Sequence, residues 1–213
     1  MEFQHLMQIV SDEPVFETGL LLAGDVDPPD VRRQLSRWTQ SGRLYQLRRG
    51  IYALAPPYQK VKPHPFLIAN RMVRGSYVSC LSALAYYGLV PEHVPVTTSV
   101  TPGRPALWET PLGTFQFQHL KPELRRGYHR LEVSPGQSAF VATPEKALLD
   151  LIYLQADGDR PAYLRELRLQ NIERLDLGRL QGEAKQANSA KLRRAATWVA
   201  EWAAAETTEW EAI

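Results

Sequence analysis

Cysteine is nearly missing from this chain: Cys80 is the one thiol in 213 residues. That excludes an internal disulfide framework and fits a reducing compartment, where a lone cysteine serves as a small buried residue. Long apolar runs are absent too, and none approaches the ~20 residues that a membrane span requires. The N-terminal MEFQHLMQIVSDEP has neither the basic start nor the apolar stretch of a secretory signal. A cytoplasmic protein with no membrane partner is expected. Phosphate-cradling motifs are missing as well: neither G-x-x-x-x-G-K-[ST] nor G-x-G-x-x-G occurs, and there is no G-x-S-x-G elbow. The histidines at 5, 64, 93, 119 and 129 are scattered, without metal-ligand spacing, so no metal and no cofactor is expected.

What is present is the composition of a folded protein. With 44% hydrophobic and 23% charged residues, the chain can bury a real core as one or two domains, roughly 70% of its unfolded surface. The net charge of +2 says little by itself, but its distribution is uneven. Residues 1–30 hold seven acids and no Lys or Arg, and residues 31–55 hold six arginines and no acid. Such a dipole can orient a module on nucleic acid, with the acidic part turned away from phosphate.

The arginine-rich stretch, PPDVRRQLSRWTQSGRLYQLRRGIYAL from Pro28 to Leu54, predicts an amphipathic helix followed by a tight hairpin. Asp27 can cap the helix and Pro28 suits its first position. Val31, Leu35 and Trp38 share one face at i, i+4, i+7 spacing, while Arg33, Ser36, Arg37 and Gln40 share the opposite one. Gly42 ends the helix. The β-prone runs 44–47 and 51–54 flank Arg48-Arg49-Gly50, where Gly50 supplies the positive φ of the turn. Arg48 and Arg49 are expected at the hairpin tip, within reach of phosphate or the minor groove. Arg33, Arg37 and Gln40 are the candidates for base contact, and Arg32, at the flank, suits phosphate. Helix, then basic wing, is the layout of a winged helix-turn-helix.

Residues 1–55 complete that unit, with helices predicted at 2–10 and 15–22 and a turn at 24–27. Four prolines between 55 and 65 predict a stiff, extended linker over 56–65. A second, mixed α/β domain with a helical C-terminus is expected over 66–213, giving an α+β chain overall. Its helices are predicted at 66–73 and 78–87, and its strands at 94–100, 112–117, 128–133 and 139–142. Thr143 caps a following helix with Ala147, Leu148, Leu151 and Ile152 inward. Leu192, Ala195, Val199 and Trp202 form a late apolar stripe. Trp108 and Trp210 are expected to be exposed.

Gly75-Ser76 matches the start of a nucleotidyltransferase metal site, but that chemistry needs two carboxylates soon afterwards, and Glu92 is the one acid between Gly75 and Gly103. Glu145 and Asp150, five apart, point in different directions on a helix. No catalytic residue is expected, and the chain is not read as an enzyme. Two further basic clusters, Lys121 with Arg125, Arg126 and Arg130, and Lys191 with Arg193 and Arg194, fit solubility or an added phosphate-binding face.

Four segments in order, GRLYQLRRGIYAL, YVSCLSALAYYGL, VTTSVTPGR and AFVATPEKALLDLIYL, resemble the AbiEi-type antitoxins of type IV toxin–antitoxin systems. The resemblance covers nearly all of residues 15–155. It implies a winged-helix domain joined to an antitoxin domain, autorepression of the operon through upstream inverted repeats, and opposition to a nucleotidyltransferase-type toxin, often without a stable complex. Carried onto this chain, it places DNA reading on Arg33, Ser36, Arg37 and Gln40, with Arg48 and Arg49 in the wing. A monomer or weak dimer that pairs on double-stranded DNA is expected. The rival readings are a module that binds its toxin directly, with DNA binding secondary, and an enzyme acting on the toxin.

Overall fold

A computed structural model describes residues 1–23, 26–91 and 94–211, with side chains through residue 205. The chain is a mixed α+β protein whose described residues form two sheets. The first 54 residues run α1 (Phe3–Val10), β1 (Phe16–Glu17), α2 (Thr18–Leu21), α3 (Pro28–Gln40), β2 (Leu44–Arg48) and β3 (Ile51–Leu54). The three strands pair antiparallel in the order β1-β3-β2. The segment 15–22, expected as one helix, is half strand: Phe16 pairs with Tyr52 and Glu17 with Ile51 before the short α2 begins. The β-propensity of Val15 and Phe16, joined to a partner strand 35 residues on, outweighs the helical spacing. The turn expected at 24–27 falls partly outside the described residues.

The rest of the chain follows as α4 (Pro65–Met72), β4 (Tyr77–Val78), α5 (Cys80–Tyr86), β5 (Val96–Thr101), β6 (Ala106–Thr110), β7 (Gly113–His119), β8 (Tyr128–Ser134), β9 (Gln137–Ala142), α6 (Pro144–Leu154), α7 (Pro161–Glu166), α8 (Leu177–Gln186) and α9 (Ala190–Glu211). The sheet order is β6-β7-β5-β4-β9-β8. The pairs β5–β7 and β4–β9 are parallel and the others antiparallel. The helix predicted at 78–87 starts later, because Tyr77 and Val78 belong to a central strand. The chain turns from β4 into α5 at Cys80, a buried residue held at φ 54. Strand β6, which the sequence reading missed, pairs with β7 at the sheet edge.

Two apolar clusters hold the molecule. The smaller comprises Leu6, Val10, Phe16, Leu21, Val31, Leu35, Trp38, Leu44, Tyr52 and Leu54. The larger is built on the six-stranded sheet, yet it includes Val15, Leu47, Ile51 and Ala53. Strand β3 therefore alternates between two interiors: Tyr52 and Leu54 face one, Ile51 and Ala53 the other. Successive strand residues point to opposite faces, and all four are buried because both faces are covered.

The proline-rich stretch is not an extended spacer, a correction to the expectation for 56–65. A turn closes where the Tyr58 and Gln59 amides donate to the Ala55 carbonyl, and Tyr58 packs edge-on against Phe3 at 4.8 Å between ring centroids. Farther on, Gln137 clamps the chain: its Oε1 accepts from the His64 amide at 2.8 Å and its Nε2 donates to the Lys62 carbonyl at 3.0 Å.

Candidate nucleic-acid interface

The α3 helix starts where Asp27 accepts a hydrogen bond from the Asp30 amide at 3.2 Å, with Pro28 and Pro29 in the first turn. This supplies one partner for the orphan N–H groups of a helix start. Val31, Leu35 and Trp38 are buried, as their spacing predicts, and Trp38 meets Phe3 edge-on at 5.3 Å. On the other side, Arg32, Arg33, Ser36, Arg37 and Gln40 are all exposed. Arg33 donates from Nη2 to Asp30 Oδ1 at 2.7 Å, and the Met1 amino nitrogen lies 3.4 Å from the other oxygen, Asp30 Oδ2. The hydrogen bond from Arg33 holds the Asp30 carboxyl below its ordinary range, and the same bond raises the Arg33 guanidinium above its own. The side chains of Arg32 and Arg37 make no hydrogen bond or ion pair among the described residues. Arg43, just past the helix, sits 5.1 Å over the Phe3 ring.

The hairpin adds one contact that local sequence does not announce. Arg48 is exposed, as Arg49 is, yet its guanidinium is engaged within the chain. Its Nη1 donates to the Met72 carbonyl oxygen at 2.5 Å, and its guanidinium lies 4.9 Å over the ring of Trp108. Met72 is the last residue of α4, so Arg48 supplies a cation and a donor to carbonyls that no helix turn follows. Trp108, expected to be exposed, is accordingly sandwiched between Arg48 and Phe117, whose ring is 5.1 Å away. Arg49 remains exposed at the turn, next to Gly50 with φ 80, whose carbonyl accepts from the Thr18 amide at 2.9 Å. Of the seven residues singled out from the sequence, the structure brings Arg32, Arg33, Ser36, Arg37 and Gln40 onto one exposed helix face. It leaves Arg49 at a separate turn and engages the exposed Arg48 with the Met72 carbonyl and the Trp108 ring.

Three further acids of residues 1–30 also have basic partners. Glu17 pairs with Arg74 at 2.5 Å, Glu13 with Arg71 at 3.8 Å and Asp12 with Lys60 at 3.5 Å. These contacts flank the seam between the small unit and α4. These three acids complement that seam, and Arg32 and Arg37 of α3 are left without an acidic partner among the described residues. The other basic clusters are partly occupied: Arg126 donates to the Gln186 carbonyl at 3.1 Å, Arg194 pairs with Asp159 at 2.6 Å, and Lys191 donates to the carbonyls of Tyr153 and Gln155 at the C-terminal end of α6.

A polar group that sequence reasoning missed lies beneath the larger sheet. Asp150 is 1% exposed and Lys146 5% exposed. Lys146 Nζ donates to Asp150 Oδ1, while Oδ2 accepts from Ser79 Oγ at 2.7 Å and Tyr77 OH at 3.0 Å. Burial pushes the Asp150 carboxyl up, against the pull of the ammonium and the two hydroxyls. Tyr77 is raised by burial and by the neighbouring carboxylate, and Cys80 by the same two causes. A thiol held in that direction is a poor nucleophile at neutral pH. Glu145 takes separate partners, the Asp176 amide at 3.0 Å and Arg179 at 3.9 Å. Among the described residues no cluster of His, Cys, Asp and Glu has the makings of a metal site, and no helix is long and apolar enough to cross a membrane.

No family model matches the chain, and no curated protein matches it.

Proposed function

We propose that this protein is a sequence-specific DNA-binding antitoxin of the AbiEi type, a cytoplasmic repressor of its own operon that opposes a nucleotidyltransferase-type toxin. The observation that carries the DNA half of this reading is the exposed face of α3. Arg32, Arg33, Ser36, Arg37 and Gln40 stand clear of the apolar side that seats the helix. The element order α1-β1-α2-α3-β2-β3, with strands ordered β1-β3-β2, supports reading the first 54 residues as a winged helix-turn-helix whose third helix enters the major groove. Arginine and glutamine match the edges of guanine and adenine there. Phosphate contacts supply most of the affinity, and base contacts the choice of site. The antitoxin half rests on the four-segment resemblance. The partners in this reading are double-stranded DNA carrying inverted repeats, on which a monomer or weak dimer pairs, and a toxin that is opposed without a stable complex. No catalytic step and no cofactor is assigned.

The test is binding of the purified full chain to its own upstream DNA against a scrambled duplex at physiological salt. A preference of about a thousandfold or more, lost in Arg33→Ala/Arg37→Ala, is the expected result. Equal weak binding to both duplexes would reduce the contact to electrostatics and sink the repressor reading.

A further inference from the structure

We infer that Asp30 is a positioning residue that fixes Arg33 to read a guanine. This rests on the DNA-binding reading of α3 and goes beyond it by assigning one base to one residue pair. Arg33 stands in the N-terminal half of α3, the part of a recognition helix that meets base edges. Its Nη2 is held by Asp30 Oδ1 at 2.7 Å across one helical turn. A free surface arginine samples many rotamers and must lose that freedom on binding. Asp30 holds the planar fork in one direction beforehand and leaves most of its N–H donors unengaged. Two donors in one plane match the O6 and N7 acceptors of guanine in the major groove. Arg32 and Arg37, which have no such carboxylate, differ in kind.

Charge argues for base over phosphate. Asp30 offsets one of the two cations it touches, Arg33 and the Met1 ammonium, so the group carries one net positive charge and displaces less of the counterion atmosphere that favours phosphate contacts than two free cations would. A carboxylate beside a phosphodiester is repelled. Against an uncharged base edge, the pair keeps its hydrogen bonding without that cost. Asp30 itself is only partly exposed, which suits a residue that works through its neighbour.

The experiment begins with selection of preferred duplexes from a random library by the full chain. Affinities are then measured for the selected duplex, for copies with each G·C pair replaced, and for one carrying 7-deazaguanine, which lacks the N7 acceptor. The proteins are wild type, Asp30→Asn, Arg33→Lys and Arg33→Ala. One guanine is expected to show roughly 5- to 150-fold discrimination in the wild type. Asp30→Asn should lose most of that discrimination while binding substituted duplexes as well as or better than before, since a negative charge is gone. Arg33→Lys should behave like Arg33→Ala at that base. Full discrimination by Asp30→Asn, or equal losses on every duplex for Arg33→Ala, overturns the inference while leaving DNA binding intact. Failure to enrich any sequence overturns the underlying reading instead.

Discussion

Arg48, in the hairpin, donates to the main-chain oxygen of Met72, the last residue of a helix 24 positions away. With the Trp108 ring beneath the same guanidinium, this single side chain joins the three-stranded sheet to both α4 and the edge strand β6. The hairpin is thus a joint between the two parts of the molecule.

Arg48→Ala should destabilise the protein by about 1–3 kcal/mol, from one charged hydrogen bond and one cation–π contact. Arg48→Lys should recover only part of this, because an ammonium cannot lie flat on the indole while donating to the carbonyl. Denaturant unfolding checks it: the midpoint should shift with little change in slope. An unchanged midpoint would mean that the contact contributes nothing net.

Breaking the buried pair should be costlier. Asp150→Ala leaves the Lys146 ammonium and two hydroxyls without their acceptor, and a loss of about 3–5 kcal/mol is expected. The double variant Lys146→Met/Asp150→Leu should regain most of it, since well-packed apolar replacements of buried pairs are commonly neutral. A double-mutant cycle on unfolding free energies measures the coupling. Additive single effects would contradict the burial of the pair.

His64 should give the protein a pH-dependent component. Its Nδ1 accepts the Phe66 amide at the start of α4, and burial lowers its pKa below the ordinary 6.5. The neutral ring is therefore favoured in the folded state. The sign follows: the stabilisation is complete above pH 6.5 and is lost as pH falls from there towards the lower folded value, because the unfolded chain takes up the proton first. His64→Asn preserves a capping acceptor and cannot titrate. Thermal midpoints from pH 7.5 down to 5.5 should fall more for wild type than for the variant. Parallel curves would remove His64 from the account.

Salt dependence separates the arginines. Arg32→Ala and Arg49→Ala should each lower the log–log slope of DNA affinity against salt by about 0.9 and weaken all duplexes alike. Arg37→Ala should cost about 1–3 kcal/mol on the preferred duplex and less on others. Arg48→Ala should lower the slope less than Arg49→Ala does, because the Met72 carbonyl and the Trp108 ring restrain its guanidinium. A slope change for Arg48 equal to that for Arg49 would place it against phosphate.

Much of α3 was legible in the sequence because its determinants are local. A cap at Asp27, prolines behind it and apolar residues at 31, 35 and 38 act within four turns of one helix. Arg48 was not legible, because its partners Met72 and Trp108 come from elements 24 and 60 positions further on. Strand β4 was hidden by its two-residue length, flush against the helical pattern that begins at Cys80. Strand β6 lies between Pro105 and Pro111, and its exposed Leu107 and Glu109 gave no apolar alternation. Lys146 and Asp150, four apart, have the spacing of a solvated helix face. They are buried because α5, α8, α9 and β9 surround α6, which no local pattern reveals. The run Ile51-Tyr52-Ala53-Leu54 does carry a local signal: it is apolar without interruption, the mark of a strand covered on both faces.

Strand β3 contributes alternate residues to two interiors, so the angle between α3 and the larger sheet is set by packing and not by the length of the proline-rich segment. Lengthening that segment by a few residues should leave the angle unchanged. Two copies sitting side by side on DNA would then be spaced by the shape of their bodies, and the distance between the stretches they read would behave as a rigid ruler, intolerant of a base pair added or removed.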